Sequence, residues 1–121
     1  MTNQEKIETI CHAISEKKGV NIRILEVTEH TSVADYFILS TVRNAKQAQA
    51  AADETEEKME AKGERTLRHE GYREGDWILL DYGDIIVHIF TDEERRRYEL
   101  DELRSAAPAT EYHDVTTEYH E

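Results

Sequence analysis

Gly75-Asp-Trp-Ile-Leu-Leu-Asp-Tyr-Gly-Asp-Ile-Ile-Val-His-Ile-Phe90 decides the fold, because two strand-like runs flank one turn signal and contain the only tryptophan of the chain. Alternation along a strand puts Trp77, Leu79 and Asp81 on one face and Ile78 and Leu80 on the other. A two-residue loop at Tyr82-Gly83 pairs Asp81 with Asp84, Leu80 with Ile85, Leu79 with Ile86, Ile78 with Val87 and Trp77 with His88. One face is then wholly aliphatic. The other carries Trp77, Leu79, Ile86 and His88 inside an acidic rim at the turn, a mixture suited to a docking surface rather than to a closed core.

Working outward, the flanking segments supply the layers such a hairpin needs. Thr2 and Glu5 form a capping-box pattern, and Ile7, Ile10, Cys11 and Ile14 recur at helical spacing until Gly19, which is expected to close the helix in a left-handed conformation. Val20, Ile22 and Ile24 alternate with polar residues as a first strand, and Tyr36 to Thr41 reads as a strand buried on both faces. Asn44 to Lys62 lacks Gly and Pro and favours a helix whose mild apolar side is Ala48, Ala51, Ala52, Thr55 and Met59. Glu64 to Glu70 reads as a short polar edge strand, and Thr91 with Glu94 opens a charged helix running through Arg97 and Tyr98, followed by a turn packed by Leu100 and Leu103. The order α-β-β-α-β-β-β-α predicts a mixed central sheet packed with helices, an α/β or α+β class. The domain is expected to span 1–104. Residues 105–121 hold a Pro-containing linker and the repeat Thr110-Glu-Tyr-His113, Thr117-Glu-Tyr-His120, which reads as an acidic, disordered tail.

Composition narrows the function. The 121 residues make one domain, and the formal charge of −12 argues against direct binding to a nucleic-acid backbone, where phosphate contacts need clustered cations. A basic protein surface is a better match. A single cysteine excludes an internal disulfide and fits a reducing compartment, and Cys11 on the apolar side of the first helix reads as core. The first residues lack the pattern of a secretory signal and no apolar run is long enough to span a bilayer, so a soluble, cytoplasmic protein is expected.

The run from Glu70-Gly71 through Trp77, Asp81-Tyr82-Gly83-Asp84 and Val87-His88-Ile89-Phe90 to Arg95, Tyr98 and Leu100, together with Asp35-Tyr36-Phe37-Ile38, resembles the ribosomal silencing factor family, related to plant iojap. The resemblance covers residues 3 to 104. Thr41-Val42-Arg43-Asn44 departs from it, since the family usually has a glycine-containing turn there. It implies a nucleotidyltransferase-like topology and a protein that binds the large ribosomal subunit through ribosomal protein fourteen. Occupying the face that meets the small subunit would block subunit joining and repress translation when nutrients are scarce. A role in large-subunit biogenesis is the neighbouring reading, and silencing factors are often dimers when free.

Enzymatic readings are weaker at every candidate residue. Asp81 and Asp84 suggest a metal pair, but carboxylates three apart in a strand point to opposite faces, whereas metal sites on a strand want spacing i, i+2. They read instead as turn acceptors and a partner-facing rim. His88, mid-strand among aliphatic residues, reads as a hydrogen-bonded structural group at an interface, and the other histidines show no metal-ligand spacing. Arg95-Arg96-Arg97 lies between acidic residues and reads as a solvated helix with close ion pairs. The sequence therefore predicts a binding protein, with no cofactor and no metal, whose partner-binding residues are Trp77, Leu79, Asp81, Tyr82, Asp84, His88 and Tyr98. A small nucleotidyltransferase-like enzyme is the rival from a different class.

Overall fold

A computed structural model describes residues 1–97 and 109–112, the side chains of 109–111 excepted. Thr2 accepts from Glu5 N through its hydroxyl while the Glu5 carboxylate accepts from Thr2 N, a complete capping box that starts α1 (Asn3–Glu16). The helix does not end as its glycine suggests. Lys18 takes the left-handed conformation, with φ 69°, and Gly19 is needed for another reason: a Cβ there would run into the Ile14 side chain.

Strand β1 (Val20–Glu26) pairs antiparallel with β2 (Tyr36–Val42), and the register slips between Val20 and Arg23. Asn21, at φ 51°, occupies this bulge. It breaks the simple alternation expected from Val20, so Val20 is exposed whereas Ile22 and Leu25 are buried. Asn44 caps α2 (Ala45–Ala61), accepting from Gln47 N at 2.9 Å, and the small side chains Ala48, Ala51 and Ala52 let the helix lie close to the sheet. The remaining elements are β3 (Arg68–Glu70), β4 (Trp77–Asp81), β5 (Ile85–Thr91), α3 (Asp92–Arg97) and β6 (Ala109–Glu111).

Among the described residues the sheet is mixed and six-stranded, in the order β3-β4-β5-β2-β1-β6, with β2 and β5 parallel and the other pairs antiparallel. Helices α1 and α2 cover one face, where Ile7, Ile10, Ile14, Ile38, Met59, Ile78, Leu80, Val87 and Ile89 form the main core. The opposite face carries a smaller cluster of Leu25, Val27, Leu39 and Phe90, with Phe37 and Trp77 at its margin. Mixed connectivity and a two-sided sheet match the class expected from sequence.

Two expectations need correction. The hairpin register is Asp81↔Ile86, Leu80↔Val87, Leu79↔His88, Ile78↔Ile89 and Trp77↔Phe90, and Tyr82 N donates to Ile85 O at 2.9 Å, so the two-residue loop is Gly83-Asp84 rather than Tyr82-Gly83. Gly83, at φ 87°, is the reason: the first residue of this loop takes a positive φ, which glycine adopts without steric cost. The partner strand moves by two residues, so the composition of each face is unchanged while every cross-strand neighbour is new. The second correction is at the C-terminal end, where Ala109–Glu111 pair with β1 and Tyr112 packs against the main core. Acidic composition hides this, because an open strand edge offers backbone hydrogen bonds to any sequence that can extend. The rest of 105–121, and Tyr98, Leu100 and Leu103, lie outside the described residues.

Candidate partner-binding face

On the face away from α1 and α2, the hairpin register sets Trp77 beside Phe90, Leu79 beside His88 and Asp81 beside Ile86. The parallel pairing of β2 adds Phe37 next to Ile86 and Leu39 next to His88. Trp77 and Leu79 are half-buried, while His88, although polar, is only 5% exposed.

The Trp77 indole Nε1–H donates to His88 Nδ1 at 3.1 Å. Because Nδ1 accepts, the imidazole must be neutral with its proton on Nε2. Burial, and secondarily the charge of Arg95, push the His88 pKa down to about 4, which agrees with that state. Nε2 is itself buried and has no hydrogen-bond partner among the described residues. Aromatic contacts hold the pair from both sides: the Trp77 and Phe90 rings stack at 5.2 Å and Phe37 meets His88 edge-on at 5.0 Å. The indole is thus fixed in orientation before any partner arrives.

Asp81 lies at the end of the same row. Its Oδ1 accepts from Gly83 N at 2.8 Å and its Oδ2 sits 3.9 Å from Arg68, so one carboxylate both braces the turn and forms an acidic rim. Asp84 is exposed at the turn, and its backbone carbonyl accepts from Asp35 N at 2.9 Å and Tyr36 N at 3.1 Å, tying the hairpin tip to the start of β2. Among the described residues, no three His, Cys, Asp or Glu side chains gather closely enough to hold a metal ion.

The structure brings together Trp77, Leu79, Asp81 and His88, with Asp84 at the tip, but separates Tyr82 from them. Tyr82 faces α2, is 5% exposed, and accepts from the Thr66 hydroxyl at 2.9 Å, with burial pushing its pKa up to about 12. Tyr98 is outside the described residues. Two contributors were missed from sequence. Phe90 belongs with His88 by simple alternation, a signal present in the strand. Arg95 gave no such signal: read as a solvated ion-pair residue, it reaches back so that Nη1 donates to Thr41 Oγ1 at 2.7 Å and to the Asn21 carbonyl at 3.3 Å, locking α3 to the β1 bulge. Arg97 does form the expected kind of pair, 3.6 Å from Glu94. Cys11 is fully buried and its thiol is pushed up to about 12 by burial, consistent with a core residue. No helix among the described residues is long and apolar enough to cross a membrane.

Residues 1–121 match the family described as ribosomal silencing factor during starvation. Two relatives carry the name ribosomal silencing factor RsfS. The protein of Halalkalibacterium halodurans is 34% identical, covering 95% of this chain and 98% of its own, and that of Bacillus subtilis is 36% identical, covering 88% and 91%. Organellar proteins match as well: the chloroplast protein Iojap of Zea mays at 31% identity over 85% of this chain and 45% of its own, and the Mus musculus protein named for mitochondrial assembly of the ribosomal large subunit at 20% identity over 80% and 44%. A crystal structure from Chromobacterium violaceum superposes with a TM-score of 0.82 at 29% identity, covering 85% of this chain and 86% of that one.

Proposed function

Since the chain belongs to the ribosomal silencing factor family, we propose that it represses translation by docking on the large ribosomal subunit through ribosomal protein fourteen, so that the small subunit cannot join. The observation that carries the site is the pre-oriented indole of Trp77, flanked by Leu79 and Asp81 on the sheet face that α1 and α2 leave uncovered. A rigid aromatic anchor loses little rotamer entropy on binding and is the kind of residue that dominates an interface. The formal charge of −12 and the acidic positions 81 and 84 complement a basic ribosomal-protein surface and would speed encounter with it. The reading is steric and needs no catalytic group, no cofactor and no membrane; it places the protein in the cytoplasm with the ribosomes.

The test is a pull-down with isolated large subunits. Trp77→Ala, with its fold verified by circular dichroism, is expected to weaken binding by tens of fold, in line with aromatic anchors whose truncation costs about 2 kcal/mol or more. Trp77→Phe, which keeps a ring but cannot donate to His88, should fall between the two. Undiminished binding by a folded Trp77→Ala protein would remove this face from the interface.

A second reading, large-subunit assembly, is favoured by the name of the mouse relative, mitochondrial assembly of ribosomal large subunit protein 1. The two separate in a reconstituted system: a silencing factor inhibits the joining of mature subunits, whereas an assembly factor leaves joining untouched and changes the profile of pre-subunit particles in cells lacking it.

A further inference from the structure

The outer edge of β1 is occupied by the chain itself, and the occupant is half of a repeat. Ala109 stands across from Leu25, Thr110 from Ile24 and Glu111 from Arg23, and Tyr112 N donates to Ile22 O at 3.0 Å. Alternation assigns a role to each position of the strand. Thr110 holds the register position of Ile24 and Glu111 that of Arg23, and Tyr112, next along, packs against the main core with Ile22 and Ile24. The same four residues, Thr-Glu-Tyr-His, recur at 117–120, seven positions further on.

We infer that the β1 edge is a strand-docking site that either copy can fill: residues 110–112 as the structure has it, or 117–119 of the same chain in the identical register. The residue types at all three positions of the first copy recur in the second. A threonine takes the register position across from Ile24, a glutamate the one across from Arg23, and a tyrosine the one across from Ile22. The residue one place earlier, across from Leu25, changes only from Ala109 to Thr116, and a β-branched residue is favourable in a strand. Register along an edge is held by side-chain pattern, so a repeated pattern provides two registers of similar free energy. The exchange lengthens the connection between α3 and the docked strand by seven residues without exposing the β1 edge. A sheet whose open edge is always covered resists pairing with another chain, and the second copy keeps it covered when the first is released.

Amide hydrogen exchange at Ile24 tests this on the full chain. Hydrogen bonding alternates along β1, and the Tyr112–Ile22 bond therefore directs the Ile24 amide toward the docked strand, not toward β2. Thr110→Pro removes the donor that the first copy presents to Ile24 and should leave Ile24 protection within a few-fold of the parent, because the second copy takes over. Thr117→Pro alone should change nothing. The double variant should lose protection by roughly tenfold or more, as an opened edge does. A loss in Thr110→Pro as large as in the double variant overturns the exchange, and so does protection that survives in the double variant. Protection in Thr110→Pro that rises with protein concentration would put the second copy on a neighbouring molecule and overturn the intramolecular form proposed here.

Discussion

His88 gives the stability of this protein a pH dependence of its own between about pH 6.5 and pH 4. Its pKa is held near 4 in the folded chain by burial and by the Arg95 charge, against 6.5 for an unburied histidine. Above pH 6.5 the ring is neutral folded or unfolded, and it contributes no pH dependence. As pH falls from 6.5 toward 4, the unfolded chain takes up a proton that the folded chain refuses, and stability drops by about 1.4 kcal/mol per pH unit. The loss from this group should reach roughly 2 kcal/mol at pH 5 and about 3 kcal/mol near pH 4, below which it no longer grows. Protonation also destroys the contact that orients the indole, because a doubly protonated imidazole has no acceptor for Trp77 Nε1–H. Urea unfolding at pH 7 and pH 5, for the parent and for His88→Gln, isolates the effect. The glutamine carbonyl can still accept from Trp77 but does not titrate, so the variant, whatever its stability at pH 7, should lose about 2 kcal/mol less than the parent between the two pH values. Equal losses in both proteins, or an imidazole that titrates near 6.5 by NMR, would refute the buried neutral histidine.

Four further outcomes are expected. Asp81→Asn with Asp84→Asn should leave the fold intact, weaken binding to large subunits and reduce the salt dependence of that binding; saturable magnesium binding by the parent that this variant loses would point to metal chemistry instead. Gly83→Ala should cost about 1 to 2 kcal/mol from positive φ alone, since only Leu67 approaches the new Cβ, at 3.6 Å. Gly75→Ala should cost more in the same urea titration, because the added methyl meets Ala45 Cα at 2.9 Å in addition to the strain at φ 75°; a smaller loss than at Gly83 would contradict this packing. Sedimentation over a concentration series should show a dissociating homodimer if the Trp77 face also joins two copies, and added ribosomal protein fourteen should then give a one-to-one complex; a dimer that persists in the complex would separate the two surfaces.

The parts of the fold that sequence revealed are those fixed by local chemistry. The capping box at Thr2, the small-residue side of α2 and the division of faces in β4 and β5 all follow from residues within one turn or one strand of each other. What escaped depends on a few degrees of backbone or on distant partners. The choice between Tyr82-Gly83 and Gly83-Asp84 turns on whether glycine takes the first or the second loop position, and both placements give the same faces. Its place at the turn suggests that Tyr82 belongs to the partner face, yet it lies one residue past the end of β4, on the same side as Leu80, and packs into the helix-covered core. Arg95 looks in sequence like one of three equivalent surface cations, and its partners, the Asn21 carbonyl at the β1 bulge and the Thr41 hydroxyl on β2, are more than fifty residues away in the chain. The strand at 109–111 could not be seen from composition because its stabilisation comes from the edge it covers.

The same comparison explains why the proposed interface is built where it is. A face covered by helices must be aliphatic and closely packed, and Ile78, Leu80, Val87 and Ile89 meet that demand. The opposite face of the hairpin is free of α1 and α2, so it can hold groups that an ordinary core would reject: an indole, an imidazole with a buried unpaired N–H, and a carboxylate. Such groups cost stability unless each has a partner. His88 Nδ1 satisfies the Trp77 indole N–H and the turn that Asp81 stabilises satisfies its carboxylate, so among the described residues the uncompensated cost falls on the His88 Nε2–H. Substitutions at the exposed edge of this face, Trp77 and Leu79, should therefore affect recognition more than folding, whereas His88, one strand further in, is tied to both. A binding defect without a stability defect at Trp77, set beside a combined defect at His88, is the pattern expected of a recognition face supported from beneath by its own core.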